Sequence, residues 1–135
     1  MAKRKGQARR LAVHLARLCA ENRCRDVAVL DLRRLSPVTR FFVIATGTSP
    51  RQMRAAAHRA IEGGEDLDEK PFGVEGLETS GQAEEARWIL VDYVDVVVHL
   101  FSADSRTYYD LELLWGDAPR IDWQKGWTPK QHNDE

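Results

Sequence analysis

The sequence predicts an α/β domain: a mixed five-stranded sheet with helices packed on it, in the order α-β-β-α-β-β-β-α. Three observations lead there. Short β-branched and aromatic runs are interspersed with stretches of helical periodicity along the chain. The strand at 41–45 is apolar on both faces, as an interior strand is. A chain of 135 residues, 43% apolar and 30% charged, suits one compact core without covalent staples and excludes wholesale disorder.

The elements follow in order. Met1 to Gly6 is a basic arm. Gln7 to Ala20 places Leu11, Leu15, Leu18 and Cys19 at helical spacing. Val27 to Leu32 is short and β-branched, and Ser36-Pro37 breaks the chain after it. Phe41 to Ala45 is the second strand. Ser49, Pro50 and Gln52 form a helix-start signature, a capping box with proline at the first helical position. Met53, Ala57, Ala60 and Ile61 line one face of that helix, and Gly63-Gly64 ends it. Pro71 to Glu75 reads as a short edge strand, and Thr79 to Ala86 as a polar loop. Trp88 to Val91 and Val96 to Phe101 form an antiparallel hairpin through residues 92–95. Asp104 is placed to cap a last helix carrying Tyr108, Leu111 and Trp115, stopped at Gly116. The domain is therefore read as 7–116, between the 1–6 arm and a polar C-terminal tail at 117–135.

Charge is unevenly spread. Residues 1–59 hold fourteen Lys/Arg against three Asp/Glu, and residues 60–135 hold six against eighteen, for a net charge of -1. A basic half facing a polyanion fits this split, as does a merely dipolar fold. No apolar run approaches the roughly 20 residues of a membrane helix. Two cysteines make no disulfide framework, which points to a reducing compartment. Cys19 reads as core and Cys24 as incidental. The first twenty residues have the Arg-rich character of an organellar presequence, but their apolar face belongs to the first helix, so bacterial cytoplasm is the expectation.

Few constellations carry chemistry. Gly47, Thr48 and Ser49 lead from a strand into a helix, a place where backbone N–H groups can hold an anion. The turn lacks both the phosphate-loop lysine pattern and the dinucleotide glycine pattern. Asp31, Asp92 and Asp95 sit at strand ends but lack the close pairing that a metal-assisted transfer needs, so no metal or other cofactor is assigned. His99 inside an apolar strand reads as a core histidine. Trp88 and Leu90 alternate with Ile89, Val91 and Tyr93. If the latter set packs on the helices, Trp88 and Leu90 stand on the open side of the sheet as a docking patch.

Four stretches then carry a resemblance. They are Val29-Leu30-Asp31-Leu32; Phe42 through Ser49 with Gln52; Val74-Glu75-Gly76 followed by Trp88 to Tyr93; and Asp95 to Phe101 through Arg106, Tyr108 to Glu112 and Leu114-Trp115. Over about residues 8–119 the chain resembles the ribosomal silencing factor family, also called iojap-like or RsfS proteins. The resemblance implies a nucleotidyltransferase-like shape with no known catalysis. It implies binding to ribosomal protein fourteen of the large subunit, obstruction of subunit joining when nutrients are scarce, and a homodimer when free. The residues expected at the partner are Trp88, Leu90, Asp92, Tyr93 and Asp95; the charge split, and not the resemblance, adds the expectation that the basic half faces adjacent ribosomal RNA phosphates. Two positions depart from the family pattern: Arg40 stands where Asp is usual, and Val94 where Gly is usual. The 79–86 loop is also longer than the usual link. The competing readings are a nucleotide-using enzyme built on the Gly47–Ser49 turn and a general RNA binder.

Overall fold

The computed structural model describes residues 6–77 and 87–129. The expected 79–86 loop and all but the last residue of the N-terminal arm lie outside the described residues. The elements are α1 (Gln7–Glu21), β1 (Arg25–Asp31), β2 (Phe41–Thr46), α2 (Pro50–Gly63), β3 (Gly73–Glu75), β4 (Trp88–Asp92), β5 (Val96–Phe101), α3 (Ala103–Tyr109) and α4 (Leu111–Leu114). A single 3-10 turn at Gly64–Leu67 follows α2. The predicted order is observed, with the last helix in two pieces.

The sheet runs β1-β2-β5-β4-β3. Among the described residues β2 and β5 pair in parallel, and the other ladders are antiparallel. β2 is interior, as its two-sided apolar pattern requires. Helices α1 and α2 lie on one face, where Leu11, Leu15, Met53 and Ala57 meet Val43, Ile89, Val91, Val98 and Leu100 in one sealed core. Both helices are too short to be stable alone, so this shared apolar face is what holds them.

Local chemistry explains where the elements begin and end. Ser49 Oγ accepts the Gln52 N–H at 3.1 Å, as the capping box predicts. Gln52 Oε1 does not reach back to Ser49, however, and accepts the Thr48 N–H at 2.9 Å instead. The cap of the last helix is Ser102, whose Oγ accepts the Ser105 N–H, and not Asp104. That helix then breaks at Asp110, which is left-handed with φ +45 and caps α4 through its carboxylate. Asp tolerates this conformation better than most residues.

Residues 117–129 carry backbone pairing of their own. Asp31 N–H donates to the Pro119 carbonyl at 2.8 Å, and Ile121 N–H to the Val29 carbonyl at 2.9 Å. Trp123 Nε1 donates to the Val27 carbonyl, and Arg17 donates to the carbonyls of Trp123 and Lys125. This segment covers the outer edge of β1, satisfying backbone groups that a bare edge would leave open.

A candidate docking face on the sheet

The strand period of two divides the site residues between the faces. Opposite the helices lie Phe42 and Ile44 of β2, Val97, His99 and Phe101 of β5, and Trp88, Leu90 and Asp92 of β4. The registers Phe42↔Val97, Ile44↔His99, Trp88↔Phe101, Leu90↔His99 and Asp92↔Val97 place them in cross-strand rows. Ile44 and Phe101 are sealed, with Leu30 and Leu32, in a second small core that Leu111, Trp115 and Ala118 help to close. Phe42, Trp88, Leu90 and Val97 are only partly buried. α3, α4 and the chain after them thus roof part of this face and leave a strip of it open.

Trp88 is the most constrained residue of that strip. Its ring lies 4.9 Å from Phe101 and 4.6 Å from Tyr109, centroid to centroid. Its Nε1–H donates to His99 Nδ1 at 3.1 Å. The neutral imidazole therefore carries its proton on Nε2, which is buried without a partner among the described residues. Burial lowers the His99 pKa to about 4, so the ring is neutral near pH 7 and remains an acceptor for the indole. These contacts hold the indole in one orientation. Beside it, a cleft of about 520 Å³ runs between β4 and α3, lined by Arg87, Trp88, Ser102, Ser105, Tyr108 and Tyr109 among others. Tyr108 is 80% exposed and Leu113 is 76% exposed, so the apolar character continues beyond the sheet.

The other expected site residues are placed differently. Asp92 shares the face but spends one oxygen accepting the Val94 N–H at 2.7 Å. Tyr93, expected at the partner, lies on the helix side and is 3% exposed, because it is one residue out of phase with Asp92. Its hydroxyl donates to the Ala60 carbonyl at 2.6 Å, and burial pushes its pKa up to about 12. Asp95 sits in the hairpin turn, 3.7 Å from Arg40. That ion pair gives the unusual Arg40 a local partner. Val94, the other departure, has φ +72. Its neighbours close a three-residue γ-turn through Asp95 N–H to the Tyr93 carbonyl at 2.9 Å. A β-branched residue is strained there, where glycine would not be. Gly76, before β4, has φ +82, and a Cβ on it would run into the Trp88 carbonyl.

At the Gly47–Thr48–Ser49 turn, Gly47 N–H donates to the Phe101 carbonyl and Thr48 N–H to Gln52. Two of its N–H donors are thus engaged within the chain. Asp31, Asp92 and Asp95 do not converge, and Asp31 is held below the usual carboxylate range by its hydrogen bonds from Arg33. Among the described residues no group of three His, Cys, Asp or Glu side chains is placed to hold a metal ion. No helix among them is long and apolar enough to cross a membrane.

Arg106 has a structural role that sequence reasoning missed. It donates to Thr46 Oγ1 at 3.0 Å, to the Asp26 carbonyl and to Glu112 at 2.9 Å, while Arg120 donates to the other Glu112 oxygen at 2.6 Å. Burial alone would raise the Glu112 pKa, but these two guanidinium groups hold it below its ordinary value. The cluster ties α3 and α4 to the ends of β1 and β2, and so fixes the roof beside Trp88. A basic residue seven positions after His99 was the available signal, but it named no partner.

A helix-backed mixed sheet with one sealed face and one partly open aromatic face defines a small α/β domain. The family model described as "Ribosomal silencing factor during starvation" matches residues 5–135, and the chain belongs to that family. It is 43% identical over 111 residues to the ribosomal silencing factor RsfS of Bacillus subtilis, covering 82% of this chain and 89% of that protein. It is 38% identical over 111 residues to the chloroplastic protein Iojap of Arabidopsis thaliana, covering 82% of this chain and 44% of that longer protein. Among solved structures, a Chromobacterium violaceum protein superposes with a TM-score of 0.69 at 29% identity, covering 95% of this chain and 92% of that one. A Bacillus halodurans protein does so with a TM-score of 0.64 at 34% identity, covering 84% and 94%.

Proposed function

We propose that this protein represses translation by binding the large ribosomal subunit through ribosomal protein fourteen and blocking the small subunit from joining, in the cytoplasm and under nutrient limitation. Family membership supports the ribosomal target. The observation that carries the mode of action is the partly open strip of Phe42, Val97, Leu90 and Trp88, on a sheet whose other face is sealed. Aromatic anchors on a preformed surface supply most of the energy in interfaces of this kind.

The mechanism is steric and needs no chemical step. A domain on the order of 30 Å across, about the length of a 20-residue helix, prevents two subunit surfaces from closing. A dissociation constant near 1 μM corresponds to about 8 kcal/mol. Acidic residues of the second half suit a basic ribosomal protein, and arginines of the first half suit neighbouring RNA phosphates. Off the ribosome, the free protein pairs with a second copy.

The test is co-sedimentation with separated ribosomal subunits. The parent protein is expected with large subunits and not with small ones. Trp88→Ala is expected to weaken binding by at least ~2 kcal/mol, about thirtyfold. Equal sedimentation with both subunits would overturn the proposal.

A further inference from the structure

The C-terminal end of α1 brings two thiols together. Cys24 N–H donates to the Cys19 carbonyl at 3.0 Å, and Arg23 N–H to the Ala20 carbonyl at 3.1 Å. Arg23 has φ +70. This is a Schellman motif, whose left-handed residue folds the chain back over the last helical turn and sets the side chain after it against one in that turn. The pair that meets is commonly apolar. Here it is Cys19 and Cys24, which the turn sets side by side. The 3.0 Å bond keeps their Cα atoms within roughly 7 Å of one another, close to the range a disulfide spans.

The two sulfurs differ in setting. Cys19 is 1% exposed, in the core of α1. Cys24 is partly exposed and is approached by a second donor, Gln52 Nε2, at 3.3 Å. Gln52 is itself fixed, donating to the Asn22 carbonyl at 2.7 Å and accepting from Thr48 N–H. The neighbouring Cys19 thiol and the Gln52 amide outweigh burial and pull the Cys24 thiol below its ordinary range, while Cys19 is pushed up by the nearby Cys24 and by burial. A partly exposed cysteine beside a buried one is the arrangement of an attacking and a resolving thiol.

We propose that Cys19 and Cys24 form a redox-active dithiol that a hydroperoxide closes into an intramolecular disulfide, with Cys24 attacking and Cys19 resolving. The Cys24 thiolate attacks one peroxide oxygen. The O–O bond breaks, an S–O bond forms, and the leaving oxygen takes up a proton as water (or as an alcohol from an organic peroxide). Sulfur is oxidised by two electrons, to the sulfenic acid, as the peroxide is reduced. Cys19 then attacks the Cys24 sulfur. The S–S bond forms, the S–O bond breaks, and the departing hydroxide leaves with the Cys19 proton as water. The sum is two thiols and one peroxide giving one disulfide and two waters.

The experiment exposes the full, reduced chain to equimolar hydrogen peroxide and follows intact mass and free thiols. Loss of two hydrogens from the monomer is expected, with both thiols disappearing together at least tenfold faster than in the same chain unfolded in urea. Tryptic digestion is expected to give a linked pair of peptides containing Cys19 and Cys24, separated by dithiothreitol. In Cys24→Ser the remaining thiol is expected to persist. In Cys19→Ala the reaction is expected to stop at a Cys24 sulfenic acid that dimedone traps. Cys24→Ser changes a partly exposed position and keeps the assignment testable should the core substitution fail to fold. Oxidation of Cys19 in Cys24→Ser at the parent rate, added oxygen without loss of hydrogens, or disulfides only between chains would overturn the proposal.

Discussion

The two faces of the sheet are built from the same strands and are covered to different degrees. On the helix side Ile89 and Val91 of β4, and Tyr93 just after it, are enclosed in the core. On the other side their immediate neighbours Trp88 and Leu90 are covered only in part, by a short helix pair and the chain that follows it. One strand therefore contributes alternately to folding and to the proposed docking surface. The difference teaches that burial separates residue by residue: a substitution at an odd position of β4 is expected to cost more stability than one at an even position, where the proposed binding is expected to change.

The largest effect is expected on the sealed side. Ile89→Ala removes enclosed methyl groups and is expected to lower unfolding free energy by about 2–5 kcal/mol in urea titrations. Leu90→Ala, one residue away, is expected to cost about 1 kcal/mol or less while weakening large-subunit binding. Equal losses of stability at the two positions would break the comparison.

His99 gives an effect on the order of 3 kcal/mol, read in pH. Its folded pKa is depressed to about 4, against an ordinary value of 6.5. Between those values the unfolded chain binds more protons than the folded one, so stability falls as pH drops from about 6.5 to about 4. His99→Phe keeps an aromatic ring but cannot titrate, and its stability curve is expected to be flatter across that window. Parallel curves for parent and variant would place the histidine in contact with water.

Trp88→Phe is a milder change on the open side. It retains a ring against Phe101 and Tyr109 but removes the indole donor to His99. A stability loss of about 1 kcal/mol is expected, with large-subunit binding weakened less than by Trp88→Ala. The smallest effect is a gain. Val94→Gly relieves a strained turn and is expected to stabilise by about 0.5–1 kcal/mol after the entropy cost of glycine, shifting the thermal midpoint up by a few degrees.

Much of this architecture was legible because local chemistry and hydrophobic period agreed. Ser49-Pro50 announced α2, and the alternation in β4 put Trp88 and Leu90 on the side away from the helices. Other features depend on partners far away in sequence. Ser102 and Asp104 both suit a cap, and only the geometry at the end of β5 selects Ser102. Asp110 breaks the last helix where the 3.6-residue stripe ran unbroken. The 117–135 segment reads as polar, yet Pro119 and Ile121 pair with Asp31 and Val29 through backbone bonds that leave no mark on hydropathy, and the Trp123 indole donates to the Val27 carbonyl. Cys24 read as incidental because its spacing from Cys19 is not a helical neighbour's; the positive φ at Arg23, a residue type that does not advertise it, closes that distance.

The parallel ladder between β2 and β5 joins residues 41–46 to residues 96–101. During synthesis, no nascent chain that stops short of β5 can form the middle of the sheet, because half of that ladder has not yet been made. Products that stop before residue 96 therefore lack the strand that joins the two halves of the sheet, and neither face is completed until β5 has been made.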